Sequence, residues 1–309
     1  MSLQVTFLGT SGAVPTTDRN PSAVFCRRAG DAMLFDAGEG TQRQMMRFGT
    51  GFDVDRVFLT HLHGDHVLGL PGLVQTWDFN EREDPVTVYT PRGTGREIRD
   101  LVYAIGADPS YGVDVVEVGA NETIVDGEEY EVRTVATDHR TRSVGYALVE
   151  ADRKGRFDRE RAEELGVPVG PKFATLHEGT PVELEDGTVV EPEAVVGPPR
   201  PGRTVVYTGD TRPVEAVVEA ARNADLLIHD ATFADSAAER ARQTGHSTAR
   251  EAGEVAERAG VDRLALTHIS SRYAGDTGVL KAAAQEVFAG RVLVARDGDD
   301  IEIPYAERS

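Results

Sequence analysis

The stretch RVFLTHLHGDH, residues 56–66, governs how the rest of the chain is read. It opens as an apolar strand and runs into six residues holding three of the chain's eight histidines and an aspartate. His61 and His63 are two apart, so in extended chain both point to one side. Gly64 permits a tight turn that aims Asp65 and His66 at a second point. Neutral imidazoles and carboxylates are good ligands for zinc and similar divalent ions. Such donors packed together are costly to bury without a cation. The loop is therefore expected to bind metal; the alternative is a solvated polar loop.

Short apolar runs bounded by Gly, Asp or Thr recur on both sides: LQVTFLG, AMLFDAG, VTVYT, YEVRTVAT, VGYALVE, TVVYTGD, LLIHDATF, RLALTH and RVLVARDG. Their length and β-branched content predict strands. Helix-like stretches lie between several of them: GTQRQMMRFG, RPVEAVVEAARNA, STAREAGEVAERAG and GVLKAAAQEVFAG. In the last three, Ala and Val recur at helical spacing, with Gly or Asn near the end as a stop. The pattern implies a layered α/β protein with helices outside two packed sheets. From about Asp152 to Arg203 the sequence turns polar and collects Pro168, Pro171, Pro181, Pro192, Pro198, Pro199 and Pro201. This segment reads as an arm inserted between two core strands or as a long surface loop, without a large core of its own.

With 309 residues the chain can form one large single-core domain or two ordinary ones, and 40% apolar residues allow a packed interior. No apolar run reaches eighteen residues, which argues against a membrane-spanning helix. The start, MSLQVTFLGTSG, reads as a first strand rather than a signal peptide. The single cysteine, Cys26, precludes an intrachain disulfide and fits a reducing cytoplasm. Any metal must then be held by His, Asp and Glu. Net charge is −19, from 52 acidic against 33 basic residues, and the only lysines are Lys154, Lys172 and Lys281. An acidic chain with arginine in place of lysine resembles haloarchaeal proteins, whose self-repulsion is screened by a Debye length of about 3 Å in 1 M salt. An ordinary acidic protein is the alternative. Total charge alone argues against a nucleic-acid substrate.

The spacing His-x-His-x-Asp-His after a core strand, met here by His61, His63, Asp65 and His66, resembles the metallo-β-lactamase superfamily. The resemblance implies a four-layer αββα sandwich, as a single domain over 1–309 with a protruding arm inserted at about 152–203. It implies further ligands at strand ends: His139 in VATDHRTRSVGY, Asp210 in VVYTGDTRP and His268 in LALTHISSRY. One divalent ion would take His61, His63, His139 and Asp210; the other would take Asp65, His66, Asp210 and His268. Asp210 would bridge, since a carboxylate can span ions about 3.5–4 Å apart. Asp36, in LFDAGEG, resembles the buried aspartate that orients ligands from behind. Zinc is the implied metal, and manganese or iron(II) suits the same donors.

The superfamily hosts lactam and thioester hydrolysis, redox chemistry and phosphodiester cleavage, so the ligands do not choose a substrate. Five stretches resemble the ribonuclease Z family: FLGTSGAVPTTDRN (7–20), LFDAGEGTQRQM (34–45), LIHDATF (227–233), GHSTA (245–249) and LTHISSRY (266–273). Asp230 stands where that family usually has Glu, one methylene longer. The family carries an arm that grips tRNA, and GVPVGPKF resembles its Gly-Pro motif at Gly170 and Pro171. Arg153, Lys154, Arg156, Arg159 and Arg161 fall in nine residues, opposed within them by Asp158 and Glu160. Phosphate contacts need such local positive charge rather than a basic total. A solvated mixed-charge helix is the alternative.

The resemblance implies a cytoplasmic, zinc-dependent endoribonuclease that removes 3′ trailers from tRNA precursors, leaving a tRNA 3′-hydroxyl and a 5′-phosphorylated trailer. It also implies a homodimer in which the arm of one subunit serves the other's active site. Asp65 would accept and orient the proton of the attacking water. His246, held by Asp230, would serve the leaving oxygen. Arg272 would contact phosphate and His229 would support the ligands; His177, in TLHEGT, has no assigned role. A small-molecule phosphodiesterase or other hydrolase of the superfamily is the alternative enzyme, with little use for the arm. A non-catalytic RNA-binding protein is a third reading, although such chains typically lose ligands.

Overall fold

Two seven-stranded sheets carry the fold in the computed structural model, which describes residues 2–104 and 108–305. In chain order the first strands are β1 (Leu3–Gly9), β2 (Ala23–Arg28), β3 (Asp31–Phe35), β4 (Arg56–Phe58), β5 (Val86–Pro91) and β6 (Val113–Val118). They are followed by β7 (Thr123–Asp126), β8 (Tyr130–Ala136), β9 (Val144–Glu150) and β10 (Thr204–Tyr207). The last are β11 (Leu226–Asp230), β12 (Arg263–Thr267), β13 (Arg291–Val294) and β14 (Asp300–Glu302). One sheet runs β14-β1-β2-β3-β4-β5-β6 and the other β13-β12-β11-β10-β9-β8-β7. Parallel pairing joins β3 to β6 in the first sheet and β10 to β13 in the second.

Alternation along the strands explains the layers. Phe7, Val24, Met33 and Phe58 of the first sheet meet Tyr146, Val205, Leu226 and Ala265 of the second in a shared core. On the outer face of the first sheet, Leu34, Val57 and Val88 pack with Leu73, Trp77 and Ile98 from helices. On the outer face of the second, Leu227 and Leu264 pack with Val255, Ala256 and Leu280. The order is helix, sheet, sheet, helix, the expected four-layer sandwich. The helix Ala249–Ala259 is well specified locally: Thr248 and Glu251 form a reciprocal capping box and Gly260 closes it in left-handed conformation. Among the described residues no helix is long and apolar enough to cross a membrane.

Contacts divide the described chain into a unit of 2–149 with 204–304 and a smaller one of 150–203 with Tyr305. The division lies close to the expected 152–203. The smaller unit has its own modest core of Ala162, Val167, Leu176, Val182, Val190 and Val195. Helices Arg159–Glu164 and Pro171–His177 cover it with the hairpin of Val182–Glu183 and Val189–Val190. Gly170 (φ 152°, ψ −153°) takes a backbone conformation that side chains disfavour, and Pro171 begins the helix where no N–H is needed. His177 Nε2 donates to the Gly155 carbonyl at 3.1 Å, a structural use of the histidine left without a role.

Glu150 and Arg203 close the base of this unit. Arg203 Nε and Nη2 donate to the two Glu150 oxygens at 2.7 Å each, and both side chains are 2% exposed. The Arg203 guanidinium also lies over the Tyr305 ring at 3.9 Å. Glu150→Ala takes the bidentate carboxylate from a buried guanidinium and is expected to destabilise the protein by about 3–5 kcal/mol. Denaturant unfolding of the two proteins in matched salt checks this.

Candidate metal centre

Each residue expected as a ligand follows a strand at its C-terminal end, the edge where open α/β sheets form crevices. His61, His63, Asp65 and His66 follow β4, His139 follows β8, Asp210 follows β10 and His268 follows β12. His61 and His63 point together as extended chain requires, with His61 Nε2 3.0 Å from His63 Nδ1. Gly64 behaves differently from expectation. It opens a one-turn helix, Gly64–Val67, and is not among the positive-φ glycines. The helical turn, rather than a glycine kink, brings Asp65 and His66 round. Left-handed strain falls instead on Asp36 (φ 56°) and His268 (φ 58°).

The expected donors form two groups, and a third of Asp210, Asp230, His246 and His268 overlaps them. His61, His63, His139 and Asp210 offer atoms mutually within 4.8 Å, and so do Asp65, His66 and His268. Asp210 Oδ2 lies 3.5 Å from His61 Nε2 and 3.8 Å from His139 Nε2. Its other oxygen, Oδ1, lies 3.3 Å from both His66 Nε2 and His268 Nε2. Asp65 Oδ2 is 3.2 Å from His268 Nε2 and 3.5 Å from His66 Nε2. Metal–ligand bonds of 2.0–2.1 Å at tetrahedral angles put donors about 3.3 Å apart, which these separations match. His66 Nε2 and Asp210 Oδ1 are buried without a hydrogen-bond partner. Orphaned polar atoms converging on one space fit a pair of cations bridged by Asp210.

Behind the donors, the ring nitrogens facing away are held. His66 Nδ1 donates to Asp36 Oδ2 at 2.7 Å, and His139 Nδ1 donates to the Gly245 carbonyl at 2.7 Å. His61 Nδ1 is 3.0 Å from Thr60 Oγ1, and His268 Nδ1 is 2.8 Å from Thr232 Oγ1. Tyr207 donates its hydroxyl to Asp36 Oδ2 at 2.8 Å. The Ala13 amide donates to Asp65 Oδ2 at 2.9 Å. Thr60, Thr232, Tyr207, Gly245 and Ala13 were not singled out from the sequence. The one available signal was that all five lie inside the quoted stretches.

Burial, then the neighbouring His66, pushes His61 well below the usual imidazole range, and burial also lowers His63 and His139. For His66 burial opposes charge, yet Asp210 and Asp36 outweigh it and raise its pKa well above the ordinary value. Burial likewise opposes ionisation of Asp210 and Asp65, but the surrounding imidazoles hold both carboxyls below their usual range.

Asp230 ends β11 and lies beside this cluster, with Oδ2 2.8 Å from His246 Nδ1. The shorter carboxylate therefore reaches its histidine. Burial would depress the His246 pKa, but Asp230 prevails and raises it to about 9. His246 stacks on His268 with centroids 5.0 Å apart. His229 is buried, its Nδ1 donating to the Asp230 carbonyl at 2.8 Å, so it braces the strand end. Arg272 is exposed on the turn after Ser270.

In the smaller unit folding reduces the local positive charge read from residues 153–161. Arg159 pairs with Glu163 at 2.7 Å, Arg161 with Glu164 at 3.0 Å and Lys154 with Glu178 at 3.3 Å. These glutamates lie outside the nine-residue window, which is why the stretch looked barely opposed. Asp158 is occupied as a helix cap, accepting from the Arg161 amide. The Arg153 guanidinium lies over the Tyr305 ring at 3.6 Å, and Arg156 is exposed.

The profile described as the metallo-beta-lactamase superfamily matches residues 16–268. The ribonuclease Z of Natronomonas pharaonis is 65% identical over 307 residues, covering 99% of this chain and 100% of that one. The ribonuclease Z of Halobacterium salinarum is also 65% identical, with 99% of each chain covered. The chain belongs to the ribonuclease Z family of the metallo-β-lactamase superfamily. A human tRNase Z, short form, superposes with a TM-score of 0.71 at 28% identity, over 97% of this chain and 99% of that one. Family membership and the His/Asp cluster make this ribonuclease Z homologue a metal-dependent nuclease.

Proposed function

We propose that this chain removes 3′ trailers from tRNA precursors, leaving a tRNA 3′-hydroxyl and a 5′-phosphorylated trailer. The observation that carries the reading is the bridging position of Asp210 between two donor groups, with the His246–Asp230 pair beside them, in a chain of ribonuclease Z sequence. His61, His63, His139 and Asp210 would hold one divalent ion, and Asp65, His66, Asp210 and His268 a second, zinc before manganese or iron(II). When bound, such a pair supplies positive charge at the scissile phosphate and a water that ionises near neutral pH.

The protein's own groups do the rest. Asp65, held on one oxygen by the Ala13 amide, accepts the proton of the attacking water and keeps that water in line. His246 carries a proton at neutral pH and delivers it to the departing 3′-oxygen of the tRNA. Asp230 fixes the ring of His246 and favours its charged form. His229 supports this strand end. The exposed ion pairs of the smaller unit are individually weak, so phosphates can displace Glu163, Glu164 and Glu178 from Arg159, Arg161 and Lys154. Arg153, Arg156, Gly170 and Pro171 complete that tRNA contact, and Arg272 meets phosphate near the metal centre. A homodimer and a cytoplasmic, high-salt setting accompany the reading.

The deciding experiment incubates the protein with a 3′-extended tRNA precursor in high salt and divalent metal. Release of a 5′-phosphorylated trailer is the expected result. Cleavage of small phosphodiesters with the precursor left intact overturns it in favour of the phosphodiesterase alternative. Deleting residues 153–180 is expected to weaken precursor binding at least about tenfold while small-phosphodiester turnover stays within about twofold. Filter binding and a chromogenic assay read the two halves separately.

A further inference from the structure

Asp230, like Asp36, has both carboxylate oxygens occupied behind the metal centre. Its Oδ1 accepts from the Thr232 amide at 2.9 Å and from Thr232 Oγ1 at 2.6 Å. Its Oδ2 accepts from the Thr211 amide at 3.1 Å and from His246 Nδ1 at 2.8 Å. An ionised carboxylate only accepts, so the single hydroxyl hydrogen of Thr232 points at Asp230. The Thr232 oxygen, 2.8 Å from His268 Nδ1, must then accept from that ring. The relay thus keeps a proton on His268 Nδ1 and leaves Nε2, the atom that faces Asp65 and Asp210, as the one a cation can take. A second relay has the same form: Thr60 Oγ1 donates to Asp36 and stands 3.0 Å from His61 Nδ1.

We propose that Thr232 is a positioning residue that relays Asp230 to His268, fixing the His268 tautomer and aiming Nε2 at the second cation. One carboxylate thereby serves both the proton donor His246 and a metal ligand, through two separate oxygens. This rests on the two-metal reading above. The hydroxyl is needed and the methyl is not. Valine keeps the shape but cannot pass the hydrogen bond on, whereas serine can.

The test compares Thr232→Val, Thr232→Ser and the unaltered protein by zinc competition against a chromogenic chelator. In Thr232→Val one of the two ions is expected to loosen about 10–100-fold, with the other unchanged within about threefold. Thr232→Ser is expected to bind both within about threefold of the unaltered protein. Wild-type affinity for both ions in the valine variant overturns the relay, and so does equal loosening of both with a lowered melting temperature. The tautomer is read independently of any variant's folding. Imidazole 15N spectra of the metal-free protein, assigned with His268→Gln, are expected to show His268 protonated on Nδ1; a ring bare on Nδ1 and protonated only on Nε2 refutes the proposal. Failure of the two-metal reading is distinguishable, because the unaltered protein would then itself bind fewer than two ions.

Discussion

Asp65→Ala is expected to abolish precursor cleavage, with a single-turnover rate at least about 10³-fold below that of the unaltered protein. Two losses combine in this one substitution. A positioned general base contributes about 10²–10⁴-fold. The same carboxylate is also a donor of the second cation group, 3.2 Å from His268 Nε2 and 3.5 Å from His66 Nε2. Asp65→Asn separates the two by keeping the shape and the bond from the Ala13 amide while removing the charge. Precursor affinity is expected to hold within about twofold in both variants, since no tRNA contact is assigned to Asp65. Precursor processing retained by either variant would refute the assignment of the base.

His246→Ala is expected to lower single-turnover cleavage by about 10²–10⁴-fold, the range of a lost proton donor. On that reading its charged form does the work; burial would lower its pKa but Asp230 raises it to about 9, so the contribution is expected to be complete at neutral pH and lost as pH rises through that value. The unaltered protein should therefore show an alkaline fall in rate that the alanine variant lacks. A precursor whose bridging 3′-oxygen is replaced by sulfur leaves as a thiolate that needs no proton. With that substrate the penalty of His246→Ala should shrink to less than about tenfold, and an undiminished penalty would assign His246 a binding role instead. Asp230→Asn should follow His246→Ala in direction, because the amide no longer stabilises charge on the ring.

Strands with strong alternation or continuous apolar character were legible. LQVTFLG is β1 over Leu3–Gly9, and VGYALVE is β9 over Val144–Glu150. Within the two seven-stranded sheets, the strands not anticipated were β2, β6, β7 and β14. β6 is an edge strand with exposed Asp114, Val116 and Glu117, so its apolar signal is diluted by residues facing water. The helix Leu70–Phe79 was not anticipated, and it holds Pro71 and Gly72, two residues of low helix propensity. They fall in the first turn, where the proline lacks only an N–H that has no intrahelical partner. The basic stretch of the smaller unit misled for a related reason: its counter-charges are three or four residues further along a helix, or across the fold.

The candidate donors that the structure brings together were visible in one dimension because each sits on a short loop after a strand, where residue type and spacing are read directly. The groups that orient them were not. Both LTHLH and LTHIS place a threonine before a histidine, yet the two sites are completed differently. Behind His61 the hydroxyl is that of the preceding residue, Thr60. Behind His268 it comes from Thr232, brought across by the parallel pairing of β11 with β12, in which Asp230 stands opposite Thr267. Strand register and backbone dihedral, here φ 58° at His268, choose the partner. Neither is encoded by local spacing. Residue identity thus settles which atoms can bind a cation, and the packing of strands distant in sequence settles which lone pair each of them presents.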